Sequence, residues 1–202
     1  MIRSIMCKAS ESPTLISVPD ETGCMALLEK YNTPEHIVLH SRAVWEVGKV
    51  IGEGLLSKNH PIDMDLLRAA CLLHDIAKYL CIIEKNRYHD VMGGEILTQE
   101  QLPAVAAIVV QHVMLREEND DSIKEEHVVF YADKRVVHDK VVTLEERFQY
   151  LVDTYARKPE AIAWLVEMKE KTMQLEKRIF RLLDFGPEDV VLFIPKSGLQ
   201  IG

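Results

Sequence analysis

Apolar residues in this chain recur almost everywhere at intervals of three and four, and almost nowhere in alternation. That spacing gathers them on one face of a 3.6-residue turn, so each stretch has a stripe to bury against neighbouring helices. Thr33 and Pro34 supply an N-cap oxygen and a first-turn proline, and Ile37, Val44, Val47, Ile51 and Leu55 then predict a helix ending near Leu56. Ser57 to Pro61 reads as a turn, and Asp63 as the cap of a second helix whose stripe is Leu66, Ala70, Leu73, Ala77 and Leu80. A shorter helix is expected over 88–97, another from Pro103 with Val105, Ile108, Val109 and Leu115 on one face, and a further one over 126–137. Thr143 and Glu146 form a capping box ahead of Leu144, Phe148, Leu151 and Tyr155. Pro159 opens a long amphipathic helix running to Leu183, which Gly186 and Pro187 terminate. Residues 1–22 read as a loop-like leader, Glu117 to Glu126 as a solvated link, and the VVLFIP run near the C-terminus as a short strand or a docking segment.

The expected class is therefore all-α, a packed helical bundle with a long C-terminal helix. At 202 residues the chain is long enough for one continuous core with a pocket in it, and 48% hydrophobic with 28% charged residues excludes disorder. No apolar run approaches the roughly 18 residues of a membrane span, and MIRSIMCKAS lacks the apolar core of a secretory signal, so a soluble cytoplasmic protein is expected. Cys7, Cys24, Cys71 and Cys81 have no CxxC spacing and read as reduced, structural thiols. A net charge of −8 with scattered Lys and Arg argues against nucleic acid or a membrane surface as partner. An anionic substrate would have to be drawn by local cations.

The informative residues are polar ones standing where apolar ones belong. His40 lies between Ile37 and Val44, His74 follows Leu73, His112 completes the series Val105, Ile108 and Val109, and Asp133 falls between Val129 and Val136. Each alone is more often a hydrogen-bonded core residue than a ligand, but four on four helices call for a common explanation. Helices packed about 8–10 Å apart can aim these side chains at one point, where a cation would offset their desolvation together. Asp75, about 100° round the helix from His74, could share that ion or bridge two.

The segments HSRAV around His40, LLHDIAK around His74 and Asp75, and YADKRV around Asp133 resemble the H…HD…D signature of HD-domain metal-dependent phosphohydrolases. The resemblance covers roughly residues 33–156 and implies that His40, His74, Asp75 and Asp133 hold one metal. HDVMGGEIL around His89 and IVVQHV around His112 are similar to the two extra histidines of dinuclear members such as bacterial diadenosine-tetraphosphate hydrolases, which would hold a second. It thus implies an HD-domain bundle with a leader and short helix over 1–32, a metal-binding catalytic domain over 33–156, and a C-terminal helix and tail over 157–202 packed on it. No GYP-type motif is present, Ala77 stands where the HDIG variant has glycine, and the residues after His112 lack the Thr-Gly continuation of the diadenosine-tetraphosphate hydrolases.

The resemblance implies two ions, and imidazole with carboxylate donors favours divalent transition metals for them, iron or manganese first and zinc, cobalt or nickel next, over magnesium. The implied activity is hydrolysis of a phosphoester or phosphoanhydride in a small, nucleotide-like substrate by metal-bound hydroxide, with Asp75 anchoring the bridge. Lys78 and His36, one turn from His74 and His40 respectively, could touch a bound phosphate. Alternatives are a diiron oxygenase built on the same ligands and a regulatory HD module. The C-terminal helix could form a lid or a homodimer surface. Lys134 and Arg135 read as rim contacts or surface ion pairs, and His138–Asp139 as a surface decoy. His60 reads as a turn residue and His127 as a solvated or capping one. The run Glu117, Glu118, Asp120 and Asp121 lacks the spacing of a calcium loop.

Overall fold

A computed structural model describes residues 18–85, 88–116 and 120–195, and over these the chain is all-helical apart from one two-residue-per-strand hairpin. Helix α1 (Glu21–Lys30) begins where the Asp20 carboxylate accepts from the Gly23 amide at 2.8 Å, so the expected leader already turns helical at Glu21, while residues 1–17 lie outside the described residues. Helix α2 (Glu35–Ser57) starts at Pro34, as the proline predicts, but without a side-chain cap. The Thr33 hydroxyl does not cap it and is buried without a partner.

Helix α3 (Met64–Leu73) is capped by the Asp63 carboxylate, which accepts from the amides of Asp65 and Leu66 at 3.0 Å. Leu67 and Ala69–Leu73 are fully enclosed, and the helix touches α1, α2, α6 (Pro103–Val109) and α7 (Glu125–Asp133), making it the centre of the bundle. Its closest neighbour is α2. A Cβ on Gly48 would lie 2.8 Å from the Cys71 sulfur, and one on Gly52 2.7 Å from Leu67, so these glycines let the two backbones approach.

Three expected helices end early. The one predicted through Leu80 breaks at 74–77, where i→i+3 bonds from Ile76 to Leu73 and from Lys78 to Asp75 tighten the chain before α4 (Lys78–Glu84). Helix α6 stops at Val109, leaving His112 and Leu115 beyond it. Helix α7 stops at Asp133, and Val136 and Val137 form strand β1 (Val136–Val137), paired antiparallel with β2 (Lys140–Val141). Helix α5 (His89–Gln99) occupies the expected place.

Helix α8 (Leu144–Tyr155) has the predicted capping box, the Glu146 amide donating to Thr143 Oγ1 and the Thr143 amide to the Glu146 carboxylate. Helix α9 (Pro159–Phe180) lies against α8 and α7, fastened to α7 where the Tyr131 hydroxyl donates to Glu176 at 2.5 Å. The apolar tail is not a strand but, as the second expectation had it, a segment docked on the bundle. A 3₁₀ turn (Pro187–Asp189) leads into α10 (Val190–Phe193), which packs on α2 and buries Val190 and Ile194. No helix among the described residues is long and apolar enough to cross a membrane. Cys24, Cys71 and Cys81 are free and buried, and Cys7 lies outside the described residues.

Candidate metal centre

The early helix ends build the site. His74 follows the last residue of α3, His112 lies three residues beyond α6, and Asp133 is the last residue of α7, so three helix C-termini converge on one point. Each carries the negative end of a macrodipole and up to four carbonyls without helical partners. His74 Nδ1 donates to the Cys71 carbonyl at 2.8 Å and His112 Nδ1 to that of Val109 at 2.7 Å, so each imidazole satisfies the helix it terminates. His40, in the second turn of α2, donates through Nδ1 to the carbonyl of His138 at 2.8 Å. A carbonyl only accepts, so in all three rings Nδ1 carries a proton and Nε2 faces the others.

Asp75 stands between two groups of these nitrogens. Its Oδ2 lies 3.4 Å from His74 Nε2 and 3.9 Å from His40 Nε2, and its Oδ1 lies 3.4 Å from His89 and 3.6 Å from His112. Asp133 Oδ1 closes the first group, 3.1 Å from His40 Nε2 and 3.7 Å from His74 Nε2. The six candidate ligands named from sequence are therefore brought together, with one carboxylate shared between His40 and His74 on one side and His89 and His112 on the other.

These residues fit a cation. His74 Nε2 is wholly buried and has no hydrogen-bond partner, and His112 Nε2 meets His89 Nε2 at 3.1 Å, two nitrogens that need a proton or an ion between them. Burial pulls the His74 imidazole down, but the Asp75 and Asp133 carboxylates beside it outweigh that and raise its pKa. Burial lowers His40 and takes His89 down to about 4, which favours neutral rings with one ring nitrogen free as a lone-pair donor.

Three cationic side chains surround the two acids. Lys78 Nζ donates to Asp75 Oδ2 at 2.7 Å and, against the cost of burial, holds that carboxyl well below the usual carboxylate range. Lys134 and Arg147 do the same for Asp133. Lys134 is a correction to the expected rim contact: it is 4% exposed and donates to Asp133 Oδ2 at 2.9 Å and to the carbonyl of His112. Arg135, expected beside it at the rim, is buried just past α7 and donates to the Tyr131 hydroxyl of that helix and to the carbonyls of Val142 and Pro187.

Arg147 was not singled out from sequence. It is 9% exposed, approaches Asp133 Oδ1 at 3.4 Å, and leaves its Nε without a partner. The rule that found the histidines would have found it, because it falls among Leu144, Phe148 and Leu151 on one helical face. His138 is half a correction: the residue is exposed, as expected, but its ring lies edge-on to Tyr150 in the cleft lining and its backbone carbonyl holds His40 in place. His127 is buried, with Nδ1 accepting from the Lys124 amide at 3.2 Å, a capping role. His60 lies in the turn before α3.

The centre forms the floor of a cleft of about 570 Å³. Tyr150 and Tyr155 from α8 and Trp164, Leu165 and Met168 from α9 make its opposite, mostly apolar wall, and His36 stands at the mouth from the first turn of α2.

The HD domain profile matches residues 37–184, about three-quarters of the sequence, taking in every residue of the centre. The chain belongs to the HD domain family. This HD domain is also similar to the tRNA (cytidine(56)-2'-O)-methyltransferases of Thermoplasma volcanium, at 29% identity over 155 residues, and of Picrophilus torridus, at 26% over 155 residues. Each match covers 70% of this chain and 42% of the relative, so the chain spans less than half the length of the curated relatives it matches. No solved structure matches it.

The relatives overturn the activity expected from sequence. Both are named methyltransferases and neither is named a phosphohydrolase, so the expected cleavage of phosphoesters or phosphoanhydrides is not what these relatives are named for, while the HD domain taken alone is compatible with it. The likeness to diadenosine-tetraphosphate hydrolases finds no counterpart in these names.

Proposed function

We propose that this chain is a divalent-metal-binding HD module that serves ribose 2'-O-methylation of tRNA. The observation that carries the reading is the 29% identity over 155 residues to a protein named for that reaction. On this reading His40, His74 and Asp133 would hold one ion, His89 and His112 a second, and Asp75 would serve both. The donor set favours iron or manganese, with zinc, cobalt and nickel next.

Bound there, the ions would supply Lewis acidity and lower the pKa of an oxygen ligand. The chain's own residues do the rest. Lys78 and Arg147 flank the floor, so three buried or half-buried cations, counting Lys134, face only two carboxylates and draw an anionic group into an otherwise acidic protein. His36 meets that group at the mouth, and the α8–α9 wall keeps water off it. A net charge of −8 limits RNA contact to this local patch. The expected exclusion of nucleic acid thus narrows to an exclusion of extended backbone binding.

The reading is tested by incubating the purified chain, metal-loaded or chelated, with tRNA and labelled S-adenosylmethionine, alone and with a separately supplied tRNA methyltransferase. Chelator-sensitive tRNA binding, or chelator-sensitive stimulation of ribose methylation, is expected. Metal uptake with neither effect would overturn the tRNA role and leave the metal centre standing.

A further inference from the structure

Lys134 is the most deeply buried cation of the centre, and its surroundings account for it on every side. Its Nζ donates to Asp133 Oδ2 at 2.9 Å and to the backbone carbonyl of His112, and lies 4.2 Å over the ring of Phe130. Those two acceptors belong to different halves of the centre. Asp133 presents its other oxygen to His40 and His74, whereas His112 faces His89 and the far oxygen of Asp75. An amine this deep is costly unless its donors are satisfied, and an apolar side chain would fill the same space without that cost.

We propose that Lys134 is a positioning residue that couples the two halves of the metal centre. By holding Asp133 Oδ2 it leaves Oδ1 alone to face His40 and His74, so Asp133 offers one oxygen to an ion and not two. By holding the His112 carbonyl it pins the turn after α6, and with it the direction of His112 Nε2. Asp75 joins the halves as a shared ligand, and Lys134 joins them from behind without touching an ion. Partners of this kind orient metal ligands, and their loss weakens affinity by about 10- to 100-fold. Here the loss falls on both ions, because one amine serves both.

The inference rests on the metal-binding part of the reading above and not on its tRNA part. The test titrates Co²⁺ into the chelator-treated full chain, following heat and the visible absorbance of bound cobalt. Wild type is expected to take up two ions in resolved steps, and failure to bind any would overturn the metal reading and the coupling together, before any variant is made. K134M should weaken both steps by at least about tenfold, and K134R should recover part of both. H89A should weaken one step only. Wild-type affinity of K134M at either step would overturn the coupling. Should K134M fail to fold by circular dichroism, K134Q, which keeps a donor on a shorter stem, carries the same expectation, and two unaltered steps in it would count against the proposal equally.

Discussion

The two halves of the centre share Asp75 but differ in depth. His40, His74 and Asp133 come from three interior elements, and His74 is wholly enclosed. His89 is the first residue of α5, just past residues 86–87, with a quarter of its side chain exposed, and only His112 joins it from the interior. The inner half has a second carboxylate, held by Lys134 and Arg147, and among the described residues the outer half has none of its own. A deep pocket with two acids retains an ion, and a shallow one with a single shared acid exchanges it. The outer position is thus the one where an incoming ligand would meet the centre.

The sharpest break in this comparison is the residue common to both halves. Asp75→Ala should strip both ions, leaving less than about a tenth of the wild-type metal content by elemental analysis, since no other carboxylate reaches His89 and His112 among the described residues. Retention of one ion would mean that the halves are independent. Next in size, His74→Ala should abolish the inner step of a metal titration, while His89→Ala should cost the outer step about 10- to 100-fold and leave the inner one in place. An inner loss from His89→Ala would reverse the ranking. A graded chelator titration sharpens the same contrast, because the outer ion is expected to leave first. A single-phase loss of metal would contradict a difference in depth.

How much of this could be read from sequence follows from periodicity. His40 and Arg147 lie on amphipathic helices with one apolar face, so a charged or polar residue among the apolar ones stands out. The unbroken burial of α7 removes that contrast: every residue from His127 to Asp133 is enclosed, and no face distinguishes Lys134 or Arg135 from a rim residue. The helix breaks after Leu73, Val109 and Asp133 were also invisible, because Ala77, Leu80, Leu115 and Val136 continue each apolar spacing past the true end. The contacts at those helix ends are partly local and partly tertiary. The His74 and His112 side chains take up carbonyls three residues back, a choice that apolar spacing does not reveal, and the Lys134 amine fastens one helix end to another across 22 residues of sequence. The ligands were thus legible as misplaced polarity, while the cations and turns that hold them needed three dimensions.

The smallest effect is expected at His138. Its backbone takes φ 56 in the turn between β1 and β2, and only its carbonyl reaches His40. His138→Ala keeps that carbonyl and pays a left-handed cost close to the one histidine already bears, so metal content should stay at the wild-type level with a stability change within about 0.5 kcal/mol by thermal denaturation. A β-branched residue is a different matter. His138→Val crowds the same φ and should destabilise the turn by about 1–2 kcal/mol, loosening His40 and weakening the inner ion while the outer one is spared. If alanine weakened metal binding as much as valine does, the His138 ring would have to act in the centre itself, and the inner half would be more open than its burial indicates.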